Sequence, residues 1–169
     1  MHMKIPIVDE NDNQIGIKER SELHPTDRYR VSALWLVNQN GETLIAQRAL
    51  TKKHHPGCWG CSVAGTVEEG ETYEDNILKE AEEEIGLALS SQDLQLGPKI
   101  LIEDEHKHFC QFYFSSSTKH TEEFVVQEDE VMEVKWVNTE ELISEVREHP
   151  EKYSVDLKEC LILREFKTD

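Results

Sequence analysis

The chain has 169 residues, with 35 Asp and Glu against 18 Lys and Arg and a formal net charge of −17. Such an excess argues against nucleic-acid polymers and anionic membranes as partners, since both need basic surface, and no apolar run approaches the ~18 residues that suggest a membrane span. The length suits a single domain over 1–169 with a sizeable core; four cysteines without a visible secretory signal point to a reduced, cytoplasmic protein, monomer or homodimer being left open.

In chain order, 4–9 and 14–17 read as short strands around a polar turn at 10–13. Asp9, Asn11 and Asn13 imitate the start of a calcium loop. Gln14 stands where glycine is needed and Arg20 where the closing glutamate belongs, so calcium is rejected. Residues 18–23 read as a short helical turn. Residues 29–38 are apolar through their middle, as a buried strand should be. Asn40 and Gly41 make a hairpin turn, and 42–48 returns as a strand. A basic loop at 49–57 carries Lys52, Lys53, His54 and His55, just after Arg48. Residues 58–64 read as a strand. Its alternation would send Cys58 and Cys61 to opposite faces, which speaks against reading them with His54 and His55 as a zinc site.

Beyond residue 87, 90–98 reads as connecting chain and 99–103 and 107–115 as strands, with a polar loop at 116–123 and a strand at 131–137. His106, His108 and Cys110 share one strand face, as metal ligands or as the lining of a cleft. Thr139 is placed to cap a helix over 140–149, and 156–166 reads as a last amphipathic helix. A mixed α/β sheet with helices on its faces is the implied class.

The stretch 65–87 organises the chain. Nine acidic residues and one lysine lie between positions 68 and 84. At helical spacing Glu80, Glu83 and Glu84 fall on one face, edged by an apolar stripe of Ile77, Leu78, Ala81 and Ile85. A solvated acidic helix is the plain alternative. Yet like charges four residues apart destabilise a helix unless something neutralises them, and an oxygen-rich site of this kind suits Mg²⁺ or Mn²⁺.

The stretch resembles the signature box of the Nudix hydrolases. That pattern is Gly, five residues, Glu, seven residues, Arg-Glu, an aliphatic residue, any residue, Glu-Glu, any residue, Gly, aliphatic. Gly65, Glu71, Glu80, Ala81, Glu83, Glu84, Gly86 and Leu87 fit it. Lys79 departs, keeping the charge of the usual arginine without its bidentate fork. The resemblance implies a Nudix-like α/β/α sandwich with a mixed sheet and a loop-helix-loop metal site. It implies Mg²⁺ (or Mn²⁺) held by Glu80, Glu83, Glu84 and the carbonyl of Gly65, with Glu71 and Lys79 bracing the box. The implied activity is hydrolysis of a diphosphate linkage in a nucleoside diphosphate derivative or similar small molecule. Arg48, Lys52 and Lys53 are candidates for the outer phosphate. The general base is Glu80 or Glu83 of the box, or Glu128 or Glu130, which bring a carboxylate from a second element.

A second resemblance, carried by Val8-Asp9-Glu10, Ile15-Gly16, Arg48-Ala49, Pro56-Gly57, Trp59, Glu128 to Val131 and Trp136, is to the subgroup containing isopentenyl-diphosphate isomerase. That enzyme needs a cysteine just before the box glycine and a histidine just after it. Here these are Ala64 and Thr66. Isomerisation of a prenyl diphosphate and a non-catalytic binding module are therefore the two alternatives.

Overall fold

A computed structural model describes residues 2–165; Phe166, the expected end of the last helix, lies outside them. The nine strands belong to one mixed sheet. They are β1 (Lys4–Val8), β2 (Gln14–Glu19), β3 (Arg28–Val37), β4 (Glu42–Arg48), β5 (Trp59–Gly60), β6 (Val63–Thr66), β7 (Gln95–Glu103), β8 (Lys107–Ser116) and β9 (Val131–Asn138). Three helices cover it: α1 (Tyr73–Ile85), α2 (Thr139–Glu148) and α3 (Val155–Glu165).

β3 is the central strand. It runs parallel to β8 along its whole length, from Arg28 opposite Lys107 to Val37 opposite Ser116. Its other edge meets β6 antiparallel from Val31–Thr66 to Leu34–Val63. Alternate β3 side chains enter two cores, as the period of a strand requires. Ala33 and Trp35 pack with Leu142 of α2 and Leu157 of α3. Leu34 and Leu36 pack with Ile77, Ala81 and Ile85 of α1. The architecture is thus the expected α/β/α sandwich.

Helix α1 follows from local signals. Thr72 and Asp75 form a reciprocal capping box, and Gly86 ends the helix in the left-handed region at φ 64°. Its stripe of Ile77, Ala81 and Ile85 is fully buried, each isoleucine contributing about 1.5–3 kcal/mol. Leu78, expected in that stripe, is only half-buried; Asn76 is buried instead.

Most boundaries shift by a residue from expectation, and four features differ more. The expected strand over 58–64 is two strands, β5 on β4 and β6 on β3. Between them Ser62 Oγ accepts from Leu36 N–H at 2.9 Å and donates to the Leu44 carbonyl at 2.7 Å, taking the place of ladder bonds where the chain changes partner. Cys58 therefore lies outside any strand, and the alternation argument about Cys58 and Cys61 does not apply. β7 begins at Gln95 rather than 99. A register shift between Leu96 and Lys99 accommodates Pro98, which has no N–H to give, and Gln111 Nε2 donates to the Gly97 carbonyl there at 2.9 Å. Residues 18 and 19 continue β2, and a short 3₁₀ turn covers only Arg20–Glu22. The cap of α2 is Asn138, whose Oδ1 accepts from Glu140 and Glu141 N–H, while Thr139 Oγ1 is held by Gly41 and Thr43. Asp9 in the first turn is occupied locally, its Oδ1 accepting from Asn11 and Asn13 N–H at 2.9 Å each.

Candidate active site

One cleft gathers groups from β3, the β4–β5 loop, β6, α1, the β7–β8 turn, β8, the start of β9 and the start of α3. Glu80 and Glu84 line it from α1, and Gly65 faces them from β6. A side chain on Gly65 would displace Glu80, because an added Cβ would fall 2.6 Å from Glu80 Cδ. Glycine is therefore needed here for close approach of backbone and carboxylate.

Glu84 is only 8 % exposed. Burial pushes its carboxyl up to about 8, with Glu80 and Glu130 adding to the rise, while the Ala64 N–H and Arg48 oppose it. Burial likewise pushes Glu80 up to about 7, against the lowering effect of Lys79. Two neighbouring carboxyls, one buried and one half-buried, whose ionisation is opposed by burial form a site in want of positive charge. The donors are all hard oxygens, carboxylates beside the main chain of β6, which suits Mg²⁺ or Mn²⁺ rather than a softer ion. As they stand, no three acidic, His or Cys side chains among the described residues converge on one ion position. Glu83 is exposed on α1.

Behind the site lies a buried network. Asn76 Nδ2 reaches the Thr66 carbonyl at 3.0 Å, Glu71 Oε2 at 3.0 Å and Glu80 Oε1 at 3.3 Å, and Ser32 Oγ donates to Asn76 Oδ1. Lys79 Nζ sits 2.6 Å from Glu71, 2.8 Å from Glu68 and 3.7 Å from Glu80. Burial would lower its pKa, but these carboxylates outweigh it and hold the ammonium well above its ordinary range. Lysine serves here as a point charge among three carboxylates rather than a fork to one. Asn76 is a member of this network that the acidic pattern of the box does not flag.

The other expected residues divide. Arg48, Lys52 and Glu130 line the cleft, with Lys52 Nζ 2.5 Å from Glu130 Oε2. Arg48 Nε donates to the His54 carbonyl at 3.0 Å, tying the basic loop down. Lys53 and Glu128 are exposed and do not line the cleft. His106 and His108 line it too, but Cys110 is buried in the core, so the three do not form one set. His54 and His55 pair with Glu105 at 2.7 Å and Asp104 at 2.8 Å across the mouth, and Cys58 Sγ points to the Glu151 carbonyl at 3.6 Å. Asp156 on α3, which motif spacing does not single out, also reaches the cleft.

The chain is similar to known proteins over most of its length. A family model described as the NUDIX domain matches residues 26–157. An isopentenyl-diphosphate Delta-isomerase of Klebsiella pneumoniae is 28 % identical over 158 residues, covering 88 % of this chain and 83 % of its own. An uncharacterized Nudix hydrolase of Nostoc is 42 % identical over 94 residues, covering 54 % of this chain and 56 % of its own. A crystal structure from Deinococcus radiodurans superposes with a TM-score of 0.79 at 24 % identity, covering 95 % of this chain and 98 % of its own.

Proposed function

The chain belongs to the Nudix family, and we propose that it hydrolyses the diphosphate linkage of a small molecule, such as a nucleoside diphosphate derivative, with Mg²⁺ or Mn²⁺. The observation that carries this reading is the meeting of half-buried Glu80 and buried Glu84, backed by Gly65, with Glu130, Lys52 and Arg48 from other elements in one cleft.

Glu80, Glu84, the Gly65 carbonyl and the more exposed Glu83 would hold the ion. When bound, it supplies charge neutralisation for the diphosphate oxygens and acidifies the attacking water. Phosphoryl transfer needs little more than such neutralisation and positioning. Arg48 and Lys52 hold the outer phosphate; Lys53, directed to solvent, adds only long-range attraction. Glu130 takes the proton as the water oxygen bonds to phosphorus and the bridging P–O bond breaks. Its ion pair with Lys52 fixes the direction of the carboxylate. Glu80 and Glu83 are the alternative acceptors, and Glu128 is the weakest because it lies outside the cleft. Glu71 and Lys79, with Asn76, brace the box.

Similarity to isomerases at 28 % identity favours a second reading, isomerisation of a prenyl diphosphate. Ala64 offers no proton donor and Thr66 no imidazole. Cys61 lines the cleft, but burial pushes its thiol well above the ordinary range, with Cys160 and Asp156 adding to it. A non-catalytic binding module would leave the complete set of box glutamates without a use.

The test is incubation with Mg²⁺ and a panel of nucleoside diphosphate derivatives, dinucleoside polyphosphates and isopentenyl diphosphate, with products resolved by ³¹P NMR. Cleavage at a P–O–P bridge is expected. Dimethylallyl diphosphate from isopentenyl diphosphate would establish the isomerase instead, and binding without any turnover would establish the module.

A further inference from the structure

Asp156 opens the first turn of α3 and lines the same cleft as the box glutamates. Its Oδ1 accepts from His108 Nε2 at 2.9 Å. That imidazole is 8 % exposed and stacks, tilted, 5.4 Å from the ring of Tyr29. His108 Nδ1 is buried with no hydrogen-bond partner among the described residues, so the proton that the ring carries belongs on Nε2, where it is donated to Asp156. The ring is held by packing on one side and by the carboxylate on the other. It therefore fixes Asp156 rather than contacting a ligand through its second nitrogen. The Asp156 side chain remains 23 % exposed, and its Oδ2 accepts no hydrogen bond from the described residues. The cleft thus offers one oriented carboxylate oxygen beyond those of the metal box.

Its chemistry is selective. A carboxylate repels phosphate, and Arg48 at the end of β4 and Lys52 from the β4–β5 loop already supply the basic groups that phosphate needs. An apolar tail laid against Oδ2 would strip water from a charged atom and return nothing, a costly burial. A hydroxyl pays no such penalty, and an acidic side chain accepting from a ribose hydroxyl is a general device of nucleotide recognition. From this geometry we infer that Asp156, positioned by His108, is a specificity residue that accepts a hydrogen bond from a hydroxylated, sugar-like group attached to the diphosphate. The inference rests on the hydrolase reading above, and it selects sugar-bearing diphosphates over prenyl diphosphates.

Calorimetric binding by the full chain, with Ca²⁺ in place of Mg²⁺ to slow turnover, separates the two claims. The probes are inorganic pyrophosphate, ADP-ribose, UDP-glucose and isopentenyl diphosphate. At least one sugar-bearing probe should bind more tightly than isopentenyl diphosphate and pyrophosphate. Asp156→Ala should weaken that probe by about 10-fold or more, the worth of one hydrogen bond to a charged group, and leave pyrophosphate within about twofold, its phosphate contacts being independent of this carboxylate. Asp156→Asn, which keeps the shape, should cost less but in the same direction, and His108→Gln should likewise lower sugar-bearing affinity alone. Equal losses for pyrophosphate in the Asp156 variants, or wild-type binding of isopentenyl diphosphate as tight as that of both sugar-bearing probes, would overturn the assignment. Failure of the wild type to bind pyrophosphate would instead bring down the diphosphate reading, and this one with it.

Discussion

The main-chain N–H of Gln127 donates to the carbonyl of Glu84 at 2.9 Å. The bond joins the last turn of the box helix to the loop that precedes β9. Val125 N–H reaches the Ile85 carbonyl at 3.1 Å beside it, and Ala49 N–H reaches the Glu130 carbonyl at 2.9 Å. Glu130 is thereby held between the metal helix and the basic loop, facing Lys52. Glu128, two residues earlier in the same turn, is directed to solvent. Loss of a positioned general base typically costs ~10²–10⁴-fold, so Glu130→Gln should lower kcat by at least about 10²-fold at saturating Mg²⁺. Glu128→Gln should leave kcat near normal. Steady-state assays of both variants check this, and a normal rate in Glu130→Gln would return the base to the box glutamates.

Gly65 sets how closely the β6 backbone approaches Glu80. In Gly65→Ala the new Cβ would lie 2.6 Å from Glu80 Cδ, so the carboxylate has to turn away. Misplacing a ligand in this way should weaken Mg²⁺ binding roughly 10–100-fold, comparable with losses of outer-shell support. Overpacking should also cost about 1–3 kcal/mol of stability. Calorimetry and urea unfolding measure the two effects separately.

Asp12 ties three elements together away from the cleft. Its carboxylate contacts Arg30 Nε at 2.7 Å, Lys99 Nζ at 2.6 Å and Tyr73 Oη at 3.0 Å. Burial alone would raise its pKa, but the hydrogen bonds from Lys99, Arg30 and Tyr73 outweigh it and hold the carboxyl below its ordinary 3.8. A depressed folded pKa means stability that is fully present above that ordinary value and lost as pH falls through the folded one. Asp12→Asn tolerates the positive φ of 64° at this position and removes the charge. It should cost roughly 1.5–3 kcal/mol at pH 7, in the range of hydrogen bonds to charged groups, and flatten the acid limb of the stability curve. Urea unfolding at pH 7 and in the acid limb tests both.

The metal-free protein should show the opposite sign at the box. Burial raises Glu84 to about 8 and Glu80 to about 7 from an ordinary 4.5. The folded state then binds more protons than the unfolded chain across that window, so stability should fall as pH rises from about 4.5 to about 8. In EDTA this decline should be visible in the unfolding midpoint. Glu84→Gln should reduce it, and added Mg²⁺ should oppose it.

These residues also mark how much was legible in the sequence. The α1 helix, its three buried stripe residues and the adjacency of Glu80 and Glu84 follow from periodicity, because an amphipathic helix has one way to dock. The central strand is legible because both of its faces are apolar. The break at Ser62 is not, because it depends on a side-chain hydroxyl bridging two strands distant in sequence. Nor is the bulge at Pro98, which is closed by Gln111 from the neighbouring strand. Local sequence places Glu128 and Glu130 equally well before β9; the bonds of Gln127 to Glu84, of Ala49 to Glu130 and of Lys52 to Glu130, all long-range, separate them. His108 is visible as a histidine on a strand face, but its partner Asp156 arrives from a helix 48 residues later.

The proposed hydrolysis depends on a divalent cation bound by the box helix. Calorimetric titration of the full chain with Mg²⁺ or Mn²⁺ tests it most directly. Saturable binding is expected in the wild type and its loss in Glu84→Gln, where an amide replaces the buried carboxyl beside the Ala64 N–H. Unchanged binding in Glu84→Gln, or none in the wild type, would contradict it.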